Sequence, residues 1–262
     1  LSIDSKLGVV FNGAIYNFPE LRKDLEELGY EFRSQTDTEV LLHGYHAWGI
    51  DKLVEKLRGM FAFAIWDDRS DELYLVRDRL GVKPLYYSIQ DRQLVFGSTA
   101  SALRDSGFVS ALDQQAIVEF LEFGYVTDQR SIYEKVAKVQ AGHIVKWKNG
   151  IISNREYWHL PSVEHQDISF TEAVDETERL FLQAVKRRLF ADVPVGALLS
   201  GGIDSSLVCW AISELGGDIR AYTVGTPGDA MDETEGAKAT AKQLGLAHEV
   251  LKLVANDQAN ID

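Results

Sequence analysis

Residues 195–206 read Val-Gly-Ala-Leu-Leu-Ser-Gly-Gly-Ile-Asp-Ser-Ser: an apolar run, a glycine pair, and hydroxyls gathered around one carboxylate. Gly201 and Gly202 carry no Cβ, so the backbone at this bend can pass close to a bound group. The apolar run from Leu207 to Leu215 predicts a helix directly after it. The first turn of a helix leaves N–H groups unpaired and carries the positive end of the dipole. With Ser200, Ser205 and Ser206 as further donors, the combination is an anion site, and a polyphosphate is its natural guest. Asp204 would repel phosphate unless a cation intervenes. Mg²⁺, held by one or two carboxylates together with phosphate oxygens, resolves the conflict. The same residues also suit an ordinary strand-to-helix turn with Ser and Asp as caps.

No Gly-Lys-Ser/Thr follows, so this is not the common nucleotide loop. Nor is it the dinucleotide fingerprint, which needs Gly-x-Gly-x-x-Gly. Ser-Gly-Gly-x-Asp-Ser resembles instead the pyrophosphate loop of enzymes that split ATP between its α and β phosphates.

Composition narrows the class. The 262 residues can hold two domains or one and a half, and 45% hydrophobic with 26% charged content describes an ordinary soluble globular protein. No run of about eighteen apolar residues and no signal peptide is present, which sets a membrane partner aside. A net charge of −13 opposes nucleic acid as a partner, because a phosphate backbone needs a basic face. The single cysteine, Cys209, allows no internal disulfide and suits a reducing cytoplasm. It lies within an apolar run and is expected to be a buried, inert thiol. Both ends of the sequence read as cut.

Two regions must position this chemistry. Through about residue 160, short strands alternate with a few helices. Asn12-Gly13 and Asn149-Gly150 each suggest a tight hairpin. Pro19 opens a helix to about Leu28. Thr36 to Glu39 has capping-box spacing before a helix from Val40 to Trp48. Strands are expected at 60–66, 72–76, 84–89, 93–97 and 143–147, with Asp113 capping one more helix. Two stacked sheets with helices outside, an α+β layered domain, follow from this pattern. Residues 155–167 read as a linker around Pro161. Beyond it, Ser169 to Glu172 forms a second capping box ahead of a helix to about Phe190. Strands and helices then alternate, as in a doubly wound parallel sheet at its beginning.

Four further stretches carry a resemblance over nearly the whole chain. They are Val10-Phe11-Asn12-Gly13-Ala14-Ile15-Tyr16-Asn17, Ser34-Gln35-Thr36-Asp37-Thr38-Glu39-Val40, residues 57–67 (Leu-Arg-Gly-Met-Phe-Ala-Phe-Ala-Ile-Trp-Asp), and residues 77–87 (Arg-Asp-Arg-Leu-Gly-Val-Lys-Pro-Leu-Tyr-Tyr). In this order, ahead of the Ser-Gly-Gly-x-Asp-Ser loop, they are similar to the glutamine-dependent asparagine synthetases. The resemblance implies a layered αββα glutaminase domain of the N-terminal-nucleophile type over residues 1–160. It implies the first part of an ATP-pyrophosphatase-type synthetase domain over 161–262.

By that resemblance, Asn12 through its amide and Gly13 through its N–H would form an oxyanion hole, and Asp37 would hold the α-ammonium of glutamine. Ser200, Gly201, Gly202 and Ser205 would bind pyrophosphate, Asp204 would hold Mg²⁺, and Leu198 and Val224 would line the nucleotide pocket. Plain readings stand beside these: a hairpin turn at Asn12-Gly13, a first-turn acid at Asp37, core packing for Leu198 and Val224. Asp232 and Glu233 are taken first as a helix cap. Residues 77–87 are taken as structural.

Two departures matter. The family's nucleophile is an amino-terminal cysteine, where this sequence has Leu1, so the chain as it stands is expected not to hydrolyse glutamine. Ala14 stands where the family usually has glutamate. Implied partners are ATP with Mg²⁺, glutamine, and aspartate or another carboxylate, with a homodimer admitted. Three activities follow: amidation of aspartate, amidation of another carboxylate such as a sugar acid, or lactam formation without glutaminase activity.

Overall fold

Successive side chains of a strand leave on opposite faces, and residues 61–66 show what that does in this chain. Phe61, Phe63 and Ile65 enter one apolar cluster, while Ala62, Ala64 and Trp66 enter another. The strand is therefore sandwiched. The computed structural model describes residues 6–127, 129–164, 167–191, 193–217, 219–225 and 232–252. The chain divides into two units, Leu1–Val163 and Glu164–Asp262.

The first unit runs β1 (Leu7–Ile15), α1 (Phe18–Glu27), α2 (Asp37–Lys56), β2 (Gly59–Asp67), β3 (Glu72–Arg77), β4 (Tyr86–Gln90) and β5 (Gln93–Gly97). It continues with α3 (Ala100–Asp105), α4 (Gln114–Phe123), β6 (Val136–Lys138), β7 (His143–Lys148) and β8 (Ile151–Glu156). Two antiparallel sheets result, ordered β1-β2-β3-β7-β8 and β5-β4-β6. Leu21 and Leu25 of α1 and Val40, Leu41 and Leu53 of α2 pack on one face of the larger sheet. Its other face meets Tyr87, Leu94 and Phe96 of the smaller sheet. Leu103 of α3 covers the far side of that second sheet beside Tyr86 and Val95. Helix, sheet, sheet, helix is the layered α+β order that the strand pattern predicts.

Local signals succeed where their donors and acceptors are neighbours in sequence. Asp113 caps α4 by accepting from the Gln115 and Ala116 N–H groups. Asn149 and Gly150, both at positive φ, turn the chain from β7 into β8. Residues 77–87 are structural: the buried Arg77 guanidinium donates to the Gly81, Lys83 and Val139 carbonyls. The Asp78 carboxylate accepts from the Leu80, Val82 and Lys83 N–H groups.

Three expectations fail. Asn12-Gly13 is no hairpin; β1 runs straight through it, paired along its length with β2. Residues 155–156 belong to β8 and not to a linker. Thr36 makes no side-chain cap, its hydroxyl lying 3.0 Å from Ser34 Oγ, and the reciprocal half of the box is lost as well because Glu39 faces the preceding loop. Its carboxylate accepts from the Arg33 and Ser34 N–H groups and from the Ser34 hydroxyl.

Burial pushes the Glu39 carboxyl up, but the bonds from Ser34 and Arg33, with His43 alongside, outweigh it and bring it from 4.5 down to about 2. A value lowered on folding stabilises fully above the unfolded value, and that stabilisation is lost as pH falls through the folded one. Replacing Glu39 with glutamine is expected to lower stability at neutral pH and to flatten the loss between about pH 5 and pH 2. Urea denaturation across that window measures it, and parallel acid limbs for the two proteins would contradict the assignment. Glu72, which Lys146 and Tyr74 hold at about 2, titrates over the same window in both proteins.

The second unit comprises α5 (Phe170–Arg188), β9 (Gly196–Leu198), α6 (Ile203–Glu214), β10 (Arg220–Gly225), α7 (Thr234–Leu244) and β11 (Ala247–Lys252). Ser169 and Glu172 complete the expected capping box at the start of α5. The three strands are parallel, ordered β11-β10-β9. Ala221, Thr223 and Gly225 of β10 are buried on one face. The core joins Ala197 and Ala221 to Cys209, Ala211 and Ile212 of α6, Ala237 and Ala241 of α7, and Val185 of α5. This is the expected beginning of a doubly wound sheet. The expectations for residues 1–4, 165–166 and 253–262 lie outside the described residues.

Candidate functional site

In the first unit the candidate residues gather along the outer edge of β1, which is the last strand of its sheet. Tyr16 donates its N–H across to the Arg58 carbonyl. Backbone groups of an antiparallel strand alternate in direction, so the N–H groups of Ile15 and Gly13 point the other way, to the free edge. Two observations agree with this. The Ile15 N–H donates to Asp37 Oδ2 at 2.9 Å. Phe61, directly opposite Gly13, uses its own N–H and carbonyl on Asp78.

Gly13 has φ +151°, and a Cβ built on it would lie 2.1 Å from the Met60 carbonyl oxygen. Only glycine lets β1 pass β2 this closely. Asn12 Nδ2 donates to Ser98 Oγ at 3.1 Å. Asp37 opens α2, and the bond from Ile15 ties its carboxylate to the end of β1. The edge thus presents a backbone N–H, a side-chain amide and a carboxylate along the four residues Asn12 to Ile15. That set can polarise a carbonyl and hold an ammonium group. Ala14 adds no functional group. Ser98 escaped the sequence reading; its only signal is its place between β5 and Thr99, the residue that caps α3.

In the second unit β9 ends at Leu198, and Gly202 is the N-cap of α6 with no side-chain cap bond. Glycine has no side chain to cap with, and among the described residues the Ile203, Asp204 and Ser205 N–H groups at the start of α6 meet no acceptor, which leaves them open to a ligand. Ser200 N–H donates to Ser205 Oγ at 3.1 Å, the two hydroxyls lie 3.0 Å apart, and Gly202 N–H reaches Ser200 Oγ at 3.3 Å. The Ser206 hydroxyl donates to the Gly202 carbonyl at 2.7 Å, so it is bound up in the turn. Gly201 has φ +75°, and a Cβ there would come within 3.1 Å of the Ala237 N of α7. Two helix N-termini thus converge on one loop. Asp204 stands exposed in the first turn of α6.

Leu198 is 77% and Val224 54% exposed. They sit at the carboxyl ends of adjacent parallel strands, so core packing does not account for them. Asp232 accepts from the Thr234 N–H and hydroxyl at the opening of α7, as a cap does, whereas the Glu233 side chain makes no cap bond. Cys209 is buried in α6 and burial pushes its thiol up, the setting of a structural thiol. Among the described residues no three His, Cys, Asp or Glu side chains cluster to cage a metal. A cation at this loop would need Asp204 and phosphate oxygens together, a donor set that suits Mg²⁺.

Over residues 1–158 the sequence matches the family model described as a glutamine amidotransferase domain. The chain belongs to that family. Residues 176–261 match the model described as asparagine synthase, so the amidotransferase domain is followed by synthase-type sequence. The chain is 37% identical over 202 residues to Asparagine synthetase [glutamine-hydrolyzing] 3 of Bacillus subtilis, covering 76% of this chain and 33% of the relative. It is 33% identical over 259 residues to Asparagine synthetase [glutamine-hydrolyzing] 1 of the same organism, covering 97% and 40%. It is also 31% identical over 265 residues to Amidase chry2 of Gibberella zeae, covering 93% and 38%. The chain thus spans two-fifths or less of the length of these relatives. No described helix is long and apolar enough to cross a membrane.

Proposed function

We propose that the protein amidates aspartate, using ATP to activate the acid and glutamine as the source of ammonia. The observation that carries this reading is the loop of residues 199–206: uncapped α6 N–H groups, two hydroxyls and one exposed carboxylate in the half that matches asparagine synthase. Glutamine is held at the other half. Asn12 Nδ2 and the Gly13 N–H donate to the oxygen on which charge develops during attack on the carboxamide. Asp37, oriented by Ile15, pairs with the substrate ammonium. A nucleophile beside Gly13 completes this step.

In the second half Ser200, Ser205 and the N–H groups of residues 201–205 hold the phosphates, and Asp204 holds Mg²⁺. Leu198 and Val224 flank the base and sugar. ATP with Mg²⁺ supplies the activation: AMP is transferred to the acid and pyrophosphate leaves. A cytoplasmic location and small-molecule partners accompany the reading.

Aspartate-dependent release of AMP and pyrophosphate by the full-length protein, with glutamate formed from glutamine, tests it. Release that another carboxylate supports and aspartate does not would move the assignment to a second reading, amidation of a different acid. Ala14 and the relative named as an amidase favour that alternative.

A further inference from the structure

Thr223 lies on β10, is 3% exposed, and makes two short contacts. Its Oγ1 is 2.6 Å from the Leu199 carbonyl oxygen and 2.8 Å from His248 Nε2. A hydroxyl has one proton to give, and a carbonyl can only accept. The Thr223 proton therefore goes to Leu199, and Oγ1 accepts from His248. That fixes the imidazole tautomer: Nε2 carries the hydrogen.

The place of this relay gives it a role. Pairing between β9 and β10 ends at Leu198 and Tyr222, and one further bond runs from the Leu199 N–H to the Tyr222 carbonyl at 2.8 Å. Leu199, buried, is where the chain leaves the sheet for the loop. The next residue, Ser200, makes the first bonds to Ser205. On β11, His248 stands opposite Ala221 and Val250 opposite Thr223, so the imidazole leans along the covered face of the sheet to reach the hydroxyl.

We propose that Thr223 and His248 are positioning residues for the loop of residues 200–206. The relay His248 to Thr223 to the Leu199 carbonyl sets the angle at which that loop leaves the sheet, and so aligns Ser200, Ser205 and the α6 N–H groups on a bound polyphosphate. The inference rests on the reading of this loop as the ATP site. Neither side chain is among the residues assigned to touch the nucleotide; both act through Leu199.

The test uses the full-length protein, with ATP and MgCl₂ titrated by calorimetry. Thr223→Val keeps the shape and leaves the Leu199 carbonyl buried without its donor. It is expected to weaken ATP binding about tenfold, with glutamine hydrolysis unchanged. Thr223→Ser restores the hydroxyl and the affinity. His248→Leu weakens binding in the same direction, and His248→Gln, which keeps an N–H donor, binds like wild type. If Thr223→Val does not fold, the His248 pair decides. Wild-type protein that fails to bind ATP overturns the loop assignment and this proposal with it. Wild-type protein that binds, beside a Thr223→Val protein of equal affinity or one altered only in melting temperature, overturns the proposal alone.

Discussion

Replacing Asp204 with alanine in the full-length protein is expected to abolish ATP cleavage, by a hundredfold or more, and to leave glutamine hydrolysis within about twofold of wild type. The asymmetry follows from where the residue stands. Asp204 is exposed in the first turn of α6, so its removal empties no core position. Near the positive end of a helix dipole a carboxylate is stabilising by only about 0.3–1 kcal/mol, and fold stability should barely change. The described residues hold no cluster of three or more His, Cys, Asp or Glu able to take over a cation. Loss of this carboxylate therefore removes the protein's assigned charge at the metal. The residues proposed to hold glutamine, Asn12, Gly13 and Asp37, belong to the other unit, and their bonds to Ser98 and Ile15 lie within it. Rates of pyrophosphate and glutamate release, measured on one preparation, decide the matter. Equal loss of both activities would show that the two chemistries are not divided between the units as assigned.

Gly13→Ala should be among the most destabilising single substitutions in the first unit. A Cβ at this position falls 2.1 Å from the Met60 carbonyl oxygen and 2.8 Å from Phe61 Cα, both backbone atoms held in the β1–β2 ladder. Nothing flexible can swing aside, and φ +151° is itself a conformation that alanine avoids. Together these effects amount to about 3 kcal/mol or more. Gly8→Ala on the same strand supplies the control, since a Cβ there meets nothing within 4 Å. Urea denaturation of both variants separates a local steric effect from a general intolerance of β1 to side chains. A loss for Gly8→Ala as large as that for Gly13→Ala would refute the argument. If β1 shifts to relieve the clash, the Gly13 N–H leaves the free edge. Glutamine hydrolysis should then fall even in the fraction that remains folded.

Gly13 also marks how far local reading carries. In sequence, Asn-Gly between two apolar runs asks for a hairpin, and at Asn149-Gly150 the same pair provides one. At Asn12-Gly13 the glycine is needed for a different reason, the close passage of a neighbouring strand 47 residues away, at Met60. A dipeptide cannot reveal that neighbour. Likewise Thr36 and Glu39 have capping-box spacing, as Ser169 and Glu172 do, and only the second pair forms the box. The loop ahead of α2 offers Glu39 the Arg33 and Ser34 N–H groups and a hydroxyl, a better set of donors than one helix terminus.

The layered α+β class of the first unit, the alternation of strand and helix in the second, the caps at Asp113 and Ser169 and the Ser-Gly-Gly bend were legible in the residues alone, whereas α3 and β6 were not. Nor were other features. Ser98 comes beside Asn12 across 86 residues, Leu198 and Val224 are left uncovered at the strand ends, and Thr223 ties Leu199 to His248. Periodicity records which way a side chain leaves its own strand or helix. What it then meets is set by chain closure over long loops and by register between strands, to which short-range pattern is blind.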